Sequence, residues 1–396
     1  MKSQNKNIHY QALCNICFLY KDSIKNKIQI WNAIHERNEK QLNEWIDLYI
    51  PKFSKYIQKD PIQSGDVYGY KQADIYFKVW FKTRIKKGGY GEIWESRITF
   101  IDDSLVVQQN IIKKGKVSRI FDGLRELIIH NELYCHFKKV NEVRSCQFIP
   151  EMTCMFRTKK HFCIGMERMD GTLFDYINHL LEHKKQTVVI EGIQTAIQAC
   201  CNMIMRLQDS YRFMHRDFHG GNIMYRYDNE RNEYKWYIID FGMTCIETKT
   251  GRIYPPTESK HYKMIHGFNP SHDLRLLFLS IYGHFRDRLP RSFILLCFHL
   301  FRNTYHYLFN SFAYDNGVTT ENKEYFFYRA YGEVVHINDP IFTPTHLRKC
   351  IQMENYSKRN EFIKKISKDA FFWSPSERKG IYHTSALRKS FKLFSL

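Results

Sequence analysis

Two short stretches constrain this chain more than anything else in it. The first is His215-Arg216-Asp217-Phe218-His219-Gly220-Gly221-Asn222, and the second is Asp240-Phe241-Gly242. Between them lie Ile223-Met224-Tyr225-Arg226-Tyr227 and Tyr234-Lys235-Trp236-Tyr237-Ile238-Ile239, on either side of a polar turn from Asp228 to Glu233. Aromatic and β-branched runs around such a turn read as a hairpin. The hairpin is expected to bring Asn222, at its start, close to Asp240, at its end. An aspartate, an asparagine and a second aspartate in this order suit phosphoryl transfer from a metal-bound nucleotide. Asp217 can take the proton of an acceptor hydroxyl. The Asn222 amide oxygen and the Asp240 carboxylate are hard donors of the kind Mg²⁺ requires, and Mg²⁺ usually takes only one or two carboxylates besides the phosphates.

H-R-D-x-x-x-x-N followed by D-F-G resembles the catalytic and metal-binding loops of the protein-kinase superfamily. The resemblance runs from about Phe77 to about Phe285. It implies an α+β, bilobal fold with a small β-rich N-lobe and a larger helical C-lobe. It also implies ATP and Mg²⁺ as cofactors. The expected organisation is a helical N-terminal extension over 1–75, an N-lobe over 76–166, a C-lobe over 167–340 and a basic C-terminal extension over 341–396.

Upstream, Lys86-Lys87-Gly88-Gly89-Tyr90-Gly91 lies between two strand-like runs, Tyr76 to Phe81 and Ile93 to Phe100. Glycines let backbone N–H groups approach phosphate oxygens without a Cβ in the way. Against the family pattern G-x-G-x-x-G, Gly88 and Gly91 match the last two glycines and Lys86 replaces the first. Gly88, Gly89 and Gly91 are the expected phosphate-covering residues. Val106 to Lys113 reads as a strand ending in the family's lysine, and Lys114 beside it points to the other face. The helix from Gly123 to Leu133 offers Glu126 or Glu132 as the lysine's partner. Lys113 with Glu126 is the favoured pairing. Two strand-like runs follow, from Glu151 and from His161. The resemblance implies Met166 behind the adenine pocket, with Glu167 to Met169 presenting backbone groups to the base.

Downstream, Ile190, Ile193, Ile197, Cys200, Ile204 and Leu207 recur at helical spacing and predict a core-facing helix. Asp273, near the start of a helix from Asn269 to Ser280, resembles the large-lobe aspartate that braces the catalytic loop. It is also a natural helix cap. Two departures from the family pattern bear on the substrate. His219 stands where Ser/Thr kinases usually carry lysine, as in haspin-like kinases, kinase-like proteins of large DNA viruses and some small-molecule phosphotransferases. There it can donate a hydrogen bond to the γ-phosphate. No A-P-E lies between Asp240 and Asp273, and Tyr254-Pro255-Pro256-Thr257-Glu258 is a loose substitute. Arg216 favours a protein kinase, where this arginine pairs with a phosphate on the activation segment. Thr244, Thr248 and Thr250 are the nearest candidates to carry it.

The 396 residues accommodate one two-lobed domain with additions, and 43% hydrophobic residues suffice for its core. No run approaches the 18 apolar residues of a membrane span, Phe293 to Phe301 being the most apolar. No secretory signal is expected at the N-terminus. Eleven cysteines without a framework suit reduced thiols and an intracellular, cytoplasmic setting. Cys14 and Cys17 read as helix cysteines rather than a zinc site, and Ile24, Ile28, Trp31 and Ile34 make an apolar helical stripe. The net charge is +19, and from residue 340 onward there are 12 Lys+Arg against 4 Asp+Glu. A strongly positive field favours nucleic acid or an acidic protein as a partner. Richness in Lys, Asn, Ile and Tyr resembles proteins of large cytoplasmic DNA viruses, for which host cytoplasm or virion is the setting. Three readings follow: a Ser/Thr protein kinase, a small-molecule phosphotransferase on the same scaffold, and a kinase-like scaffold that binds a polyanion.

Overall fold

A computed structural model describes residues 38–49, 54–55, 67–72, 75–88, 91–100, 106–116, 118, 120–140, 147–248, 251–253, 268–285, 288–290, 293, 297 and 342–352. They fall into two units. One lies within Met1–Asp170, Arg226–Thr244 and Thr248–Pro255, the other within Gly171–Tyr225, Cys245–Glu247 and Pro256–Leu396. The first boundary follows Asp170, four residues beyond the one expected after Met166.

The first unit is built on an antiparallel sheet. Its elements are α1 (Glu39–Tyr49), β1 (Ser54–Lys55), β2 (Val67–Gln72), β3 (Ile75–Gly88), β4 (Gly91–Phe100), β5 (Val106–Lys116), α2 (Ile120–Val140), β6 (Met152–Arg157) and β7 (His161–Glu167). The strand order is β1-β2-β3-β4-β5-β7-β6. Aromatic residues fill the sheet's core: Phe81 packs edge-on against Trp94 and Phe156, with ring centroids 5.9 and 6.5 Å away. Leu124 to Asn131 of α2 are buried without a break, so this helix shows no clean apolar stripe in sequence.

The expectation of a helical extension over 1–75 is corrected here at Ser54–Lys55 and Val67–Gln72. Among the described residues only α1 is helical, and β1 and β2 are strands. Val67 pairs with Trp80, and Tyr70 with Phe77. Val67-Tyr68-Gly69-Tyr70 is β-branched and aromatic, and a ready edge at β3 satisfies its backbone groups. Beyond Trp80, β3 has no outer strand partner among the described residues. Lys82, Thr83, Arg84, Ile85, Lys86 and Lys87 are all exposed there, and the ladder with β4 shifts register twice in this stretch. Cations and bulges are the usual means by which an open edge avoids pairing with another chain.

The second unit contains β8 (Gly171–Thr172), α3 (Leu173–His183), α4 (Gln186–Tyr211), a 3₁₀ turn (Gly220–Asn222), the first half of β9 (Ile223–Asp228), α5 (His272–Phe285) and α6 (Pro344–Gln352). Gly171 pairs with Tyr225, and Thr172 with Met224. The boundary between units runs through β9 after Tyr225. The rest of β9 and β10 (Glu233–Ile238) belong to the first unit, where the Lys235 ammonium meets Asp228 at 2.6 Å in the expected hairpin. Ile238 N–H donates to Phe148 O at 2.9 Å. Two short strands, β11 (Ile246–Thr248) and β12 (Gly251–Ile253), follow. Strands thus gather in one unit and helices dominate the other, which is the α+β class expected.

Helix α4 buries Val189, Ile193, Ile197, Cys200, Ile204 and Leu207, a stripe at 3.6-residue spacing with Val189 in the place expected for Ile190. By length and composition alone this helix could cross a membrane. Its apolar side is instead taken up by packing against α3 and α6, as in the core helix of a folded domain. Helix α6 departs from the expected division at 340/341. Phe342 and Leu347 are fully buried, Phe342 meets Phe278 at 6.1 Å, and the Arg275 guanidinium lies over the Phe342 ring at 5.1 Å. Phe342 and Leu347 therefore belong to the core of the second unit, and the basic tail after residue 352 lies outside the described residues, as do Cys14 and Cys17.

Helix α3 begins with a complete capping box. Asp175 N–H donates to the Thr172 hydroxyl, and Thr172 N–H donates to the Asp175 carboxylate. Thr172→Ala is expected to cost about 1 kcal/mol, measurable as a lowered urea midpoint with unchanged m-value.

Candidate active site

Side chains alternate along β5, and the two lysines at its end are thereby separated. Lys114 lies over the rings of Phe81 and Trp94, 5.4 and 5.6 Å from their centroids. Lys113 faces the other way. Its ammonium donates to both Glu126 oxygens at 2.9 and 2.8 Å and to Asp240 Oδ1 at 2.9 Å. Glu126 is thus the partner the structure gives Lys113. Burial lowers the ammonium's pKa and raises the carboxyl's, and the ion pair opposes both. For Lys113 the two carboxylates, Asp240 and then Glu126, prevail and hold its pKa above the ordinary lysine value.

Asp240 sits in the left-handed region, at φ 62° and ψ 68°. Aspartate is one of the few residues that enter it at modest cost. Phe241 is fully buried, with its ring 5.2 Å from His130 at a steep angle. His130 stands four residues, about one helical turn, after Glu126. Its Nε2 lies 2.8 Å from Pro150 O, so the proton is on Nε2 and donates to the carbonyl. Burial pushes the His130 pKa down to about 4. One helix face therefore holds both Lys113 and the anchor of Asp240.

The glycine stretch forms the turn end of the β3–β4 ladder, with Gly88 opposite Gly91. Gly91 has φ 153°, and a Cβ there would lie 2.5 Å from Lys114 O, so only glycine fits. Gly89 lies outside the described residues. Met166 is buried on β7. The expectation that Glu167 offers its backbone to a base needs correction for the N–H, which donates to Glu151 O at 3.0 Å. Met169 is buried as a side chain.

In the second unit the stretch from His215 to Asn222 is held from below. Asp273, fully buried in the first turn of α5, accepts the His215 N–H at 2.8 Å and the Arg216 N–H at 2.9 Å. Burial pushes its carboxyl up to about 7, although these two N–H groups and the Arg216 guanidinium pull the other way. Arg216 itself is left-handed, φ 66°, a strain that the bidentate hold on the loop sustains. Asn222 donates from Nδ2 to Asp217 O at 2.9 Å and to Asp217 Oδ2 at 3.2 Å. That fixes Asp217 and leaves the amide oxygen as the Asn222 atom suited to a cation. His219 Nδ1 accepts the Gly221 N–H at 3.0 Å, so the neutral ring carries its proton on Nε2, 3.7 Å from Asp217 Oδ2. The Phe174 ring lies so close to Gly220 that a Cβ there would be 2.4 Å away. The same ring stacks on His284 at 4.4 Å.

The expected role of Thr244 as a phosphate carrier for Arg216 fails on geometry. Thr244 is fully buried and its carbonyl accepts from Arg125 Nη1 at 3.3 Å. The Arg216 guanidinium is buried and reaches Cys245 Sγ at 3.5 Å. Thr248 lies at the end of β11, and Thr250 is outside the described residues.

A family model described as the ABC1 atypical kinase-like domain matches residues 125–254. That span contains Glu126, Asp217, Asn222 and Asp240 and begins after Lys113. No curated protein matches. Among solved structures, the chain is similar to a crystal structure of the BubR1 kinase domain, at 15% identity and a TM-score of 0.41. The match covers 86% of this chain and 96% of that one.

Three residues beside the expected site residues went unrecognised in the sequence: His130 and Arg226 in the first unit, and Phe174 in the second. His130 carries the one partial signal, one turn beyond Glu126 on the same helix face. Among the described residues no group of three or more His, Cys, Asp or Glu could hold a metal alone. A single carboxylate such as Asp240 suits Mg²⁺, which keeps waters and takes its other ligands from phosphates.

The His130 pKa lies below the ordinary histidine value of about 6.5, so the native state favours the neutral ring. The stability this provides is fully present above pH 6.5 and is lost as the pH falls from 6.5 towards 4. At pH 5 the loss from this group is about 2 kcal/mol. His130→Gln, which can still donate to Pro150 O, is expected to shrink the fall in Tm between pH 7.5 and pH 5. An unchanged fall would place the acid sensitivity elsewhere.

Proposed function

We propose that this chain is an ATP- and Mg²⁺-dependent kinase that transfers the γ-phosphate to serine or threonine hydroxyls of protein substrates. The observation that carries the reading is the Lys113 ammonium held between the Glu126 and Asp240 carboxylates at 2.8–2.9 Å. A lysine fixed in this way is a point charge of set position, the form in which lysine serves phosphate groups. Glu126 keeps it in place and Gly88 and Gly91 leave room for phosphate oxygens. In the first unit the Asp240 carboxylate would hold Mg²⁺, which would supply charge neutralisation on the phosphates; in the second the Asn222 amide oxygen is a hard donor of the same kind.

On the acceptor side, Asp217 accepts the proton of the attacking hydroxyl, and the Asn222 amide holds it in orientation. The His219 Nε2–H donates to the transferring phosphoryl group. Asp273 keeps the loop in the conformation that presents both.

The alternative acceptor is a small molecule. The match to a family described as atypical kinase-like favours it, as does the burial of Arg216 against Cys245. Transfer to a protein panel set against a metabolite panel separates the two acceptor classes.

Asp217→Asn is expected to leave ATP affinity within a few-fold and to lower turnover by about 10²–10⁴-fold, the usual worth of a positioned base. Near-normal turnover in the folded variant would reject the assignment. Asp240→Ala is expected to remove the dependence of ATP affinity on Mg²⁺ in a calorimetric titration. An unchanged Mg²⁺ response would place the metal elsewhere.

A further inference from the structure

We infer that Arg226 is a positioning residue for the nucleotide base, acting by clamping the segment Glu167–Asp170 from β9. The inference rests on the nucleotide reading above and adds to it the part that reads the base.

Arg226 Nη2 donates to Glu167 Oε2 at 2.9 Å and to Arg168 O at 2.7 Å. Its guanidinium lies over the Tyr237 ring of β10 at 5.7 Å. The next residue continues the clamp, since Tyr227 N–H donates to Asp170 Oδ2 at 2.7 Å. The other Glu167 oxygen accepts the Glu151 N–H at 2.9 Å. Consecutive residues of one strand therefore hold the positions on both sides of Met169. All these residues belong to the first unit.

The consequence is a choice of which backbone groups remain. Glu167 N–H is taken by Glu151 O, and Arg168 O by Arg226. No hydrogen bond from the described residues engages Met169 N–H or C=O. An adjacent donor and acceptor on a held backbone match a purine edge, where a ring nitrogen accepts next to an exocyclic amine that donates. Charge-assisted hydrogen bonds such as these are roughly twice as strong as neutral ones. Fixing the segment before the ligand arrives lowers the ordering cost of binding. Arg226 makes no claim on the phosphates, which fall to Lys113, so its loss is expected in affinity rather than in the chemical step.

The test uses the full chain, ADP with Mg²⁺ for calorimetric binding, and ATP for steady-state turnover. Arg226→Met is expected to weaken ADP binding and to raise KM for ATP by about tenfold or more. Its kcat at saturating ATP should stay within about threefold of the parent value, since uniform binding is what is lost. Arg226→Lys is expected to recover most of the affinity, because an ammonium can still donate to Glu167 and Arg168 O. A merely structural arginine would lower the yield of folded protein without this separation of KM from kcat. If Arg226→Met does not fold, Glu167→Gln keeps an acceptor and removes the charge, and a smaller loss of ADP affinity with preserved kcat is expected. Parent protein that binds ADP while the folded variant binds it equally well would overturn the inference alone. Parent protein that binds no nucleotide would overturn the nucleotide reading, and the inference with it.

Discussion

The structure of the first unit turns on one ammonium between two carboxylates. Lys113 is largely out of water, as is Glu126, with side-chain exposures of 15% and 8%. Removing either partner would strand a desolvated charge, which is far more costly than the pair is stabilising. The ion pair fixes α2 against β5, and through Asp240 it fixes the turn after β10. Two carboxylates around one ammonium leave an excess negative charge on the Asp240 side. A divalent cation there would relieve that excess, and Asp240, at 38% exposure, is the partner still open to solvent.

The second unit solves a related problem with backbone donors. Asp273 accepts the consecutive N–H groups of His215 and Arg216, so this loop cannot shift without leaving a buried carboxyl unpaired. Among the described residues four non-glycine residues have positive φ, and two of them, Arg216 and Asp240, belong to the two motifs. Backbone strain of this kind persists only where the surroundings over-determine it. Here Asp273 does so for Arg216. The packing of Phe241 on His130, with the Lys113 contact, does so for Asp240.

The fold class and both motifs were legible in the sequence because their signals are local. Eight contiguous residues, His215 to Asn222, carry the first motif, and a polar turn between aromatic runs marks the hairpin. Alternation along β5 separated Lys113 from Lys114, but periodicity alone does not say which face meets a helix. Packing decided that, and Glu126 against Glu132 with it. Arg226 was not legible, since an arginine on a hairpin strand normally reads as a solvated side chain. Its partners lie 58 and 59 residues away. His130 read as an ordinary polar position on a helix whose burial shows no stripe. The strands at 54–72 were read as helix because a short edge strand draws its stability from the partner at β3. Helix α6 was assigned to a tail because its cations overshadowed Phe342 and Leu347, the two side chains that seat it.

The most direct test of the Lys113 account is transfer of labelled γ-phosphate from ATP with Mg²⁺ to mixed protein substrates. The parent chain is compared with Lys113→Arg, which keeps a positive charge between Glu126 and Asp240. The account predicts acid-stable label on serine or threonine with the parent. The folded variant should be slower by about 10²-fold, because a guanidinium places its donors differently from an ammonium and a small misplacement is costly. Equal transfer by both proteins would contradict it, as would a folded parent that transfers no label to any hydroxyl.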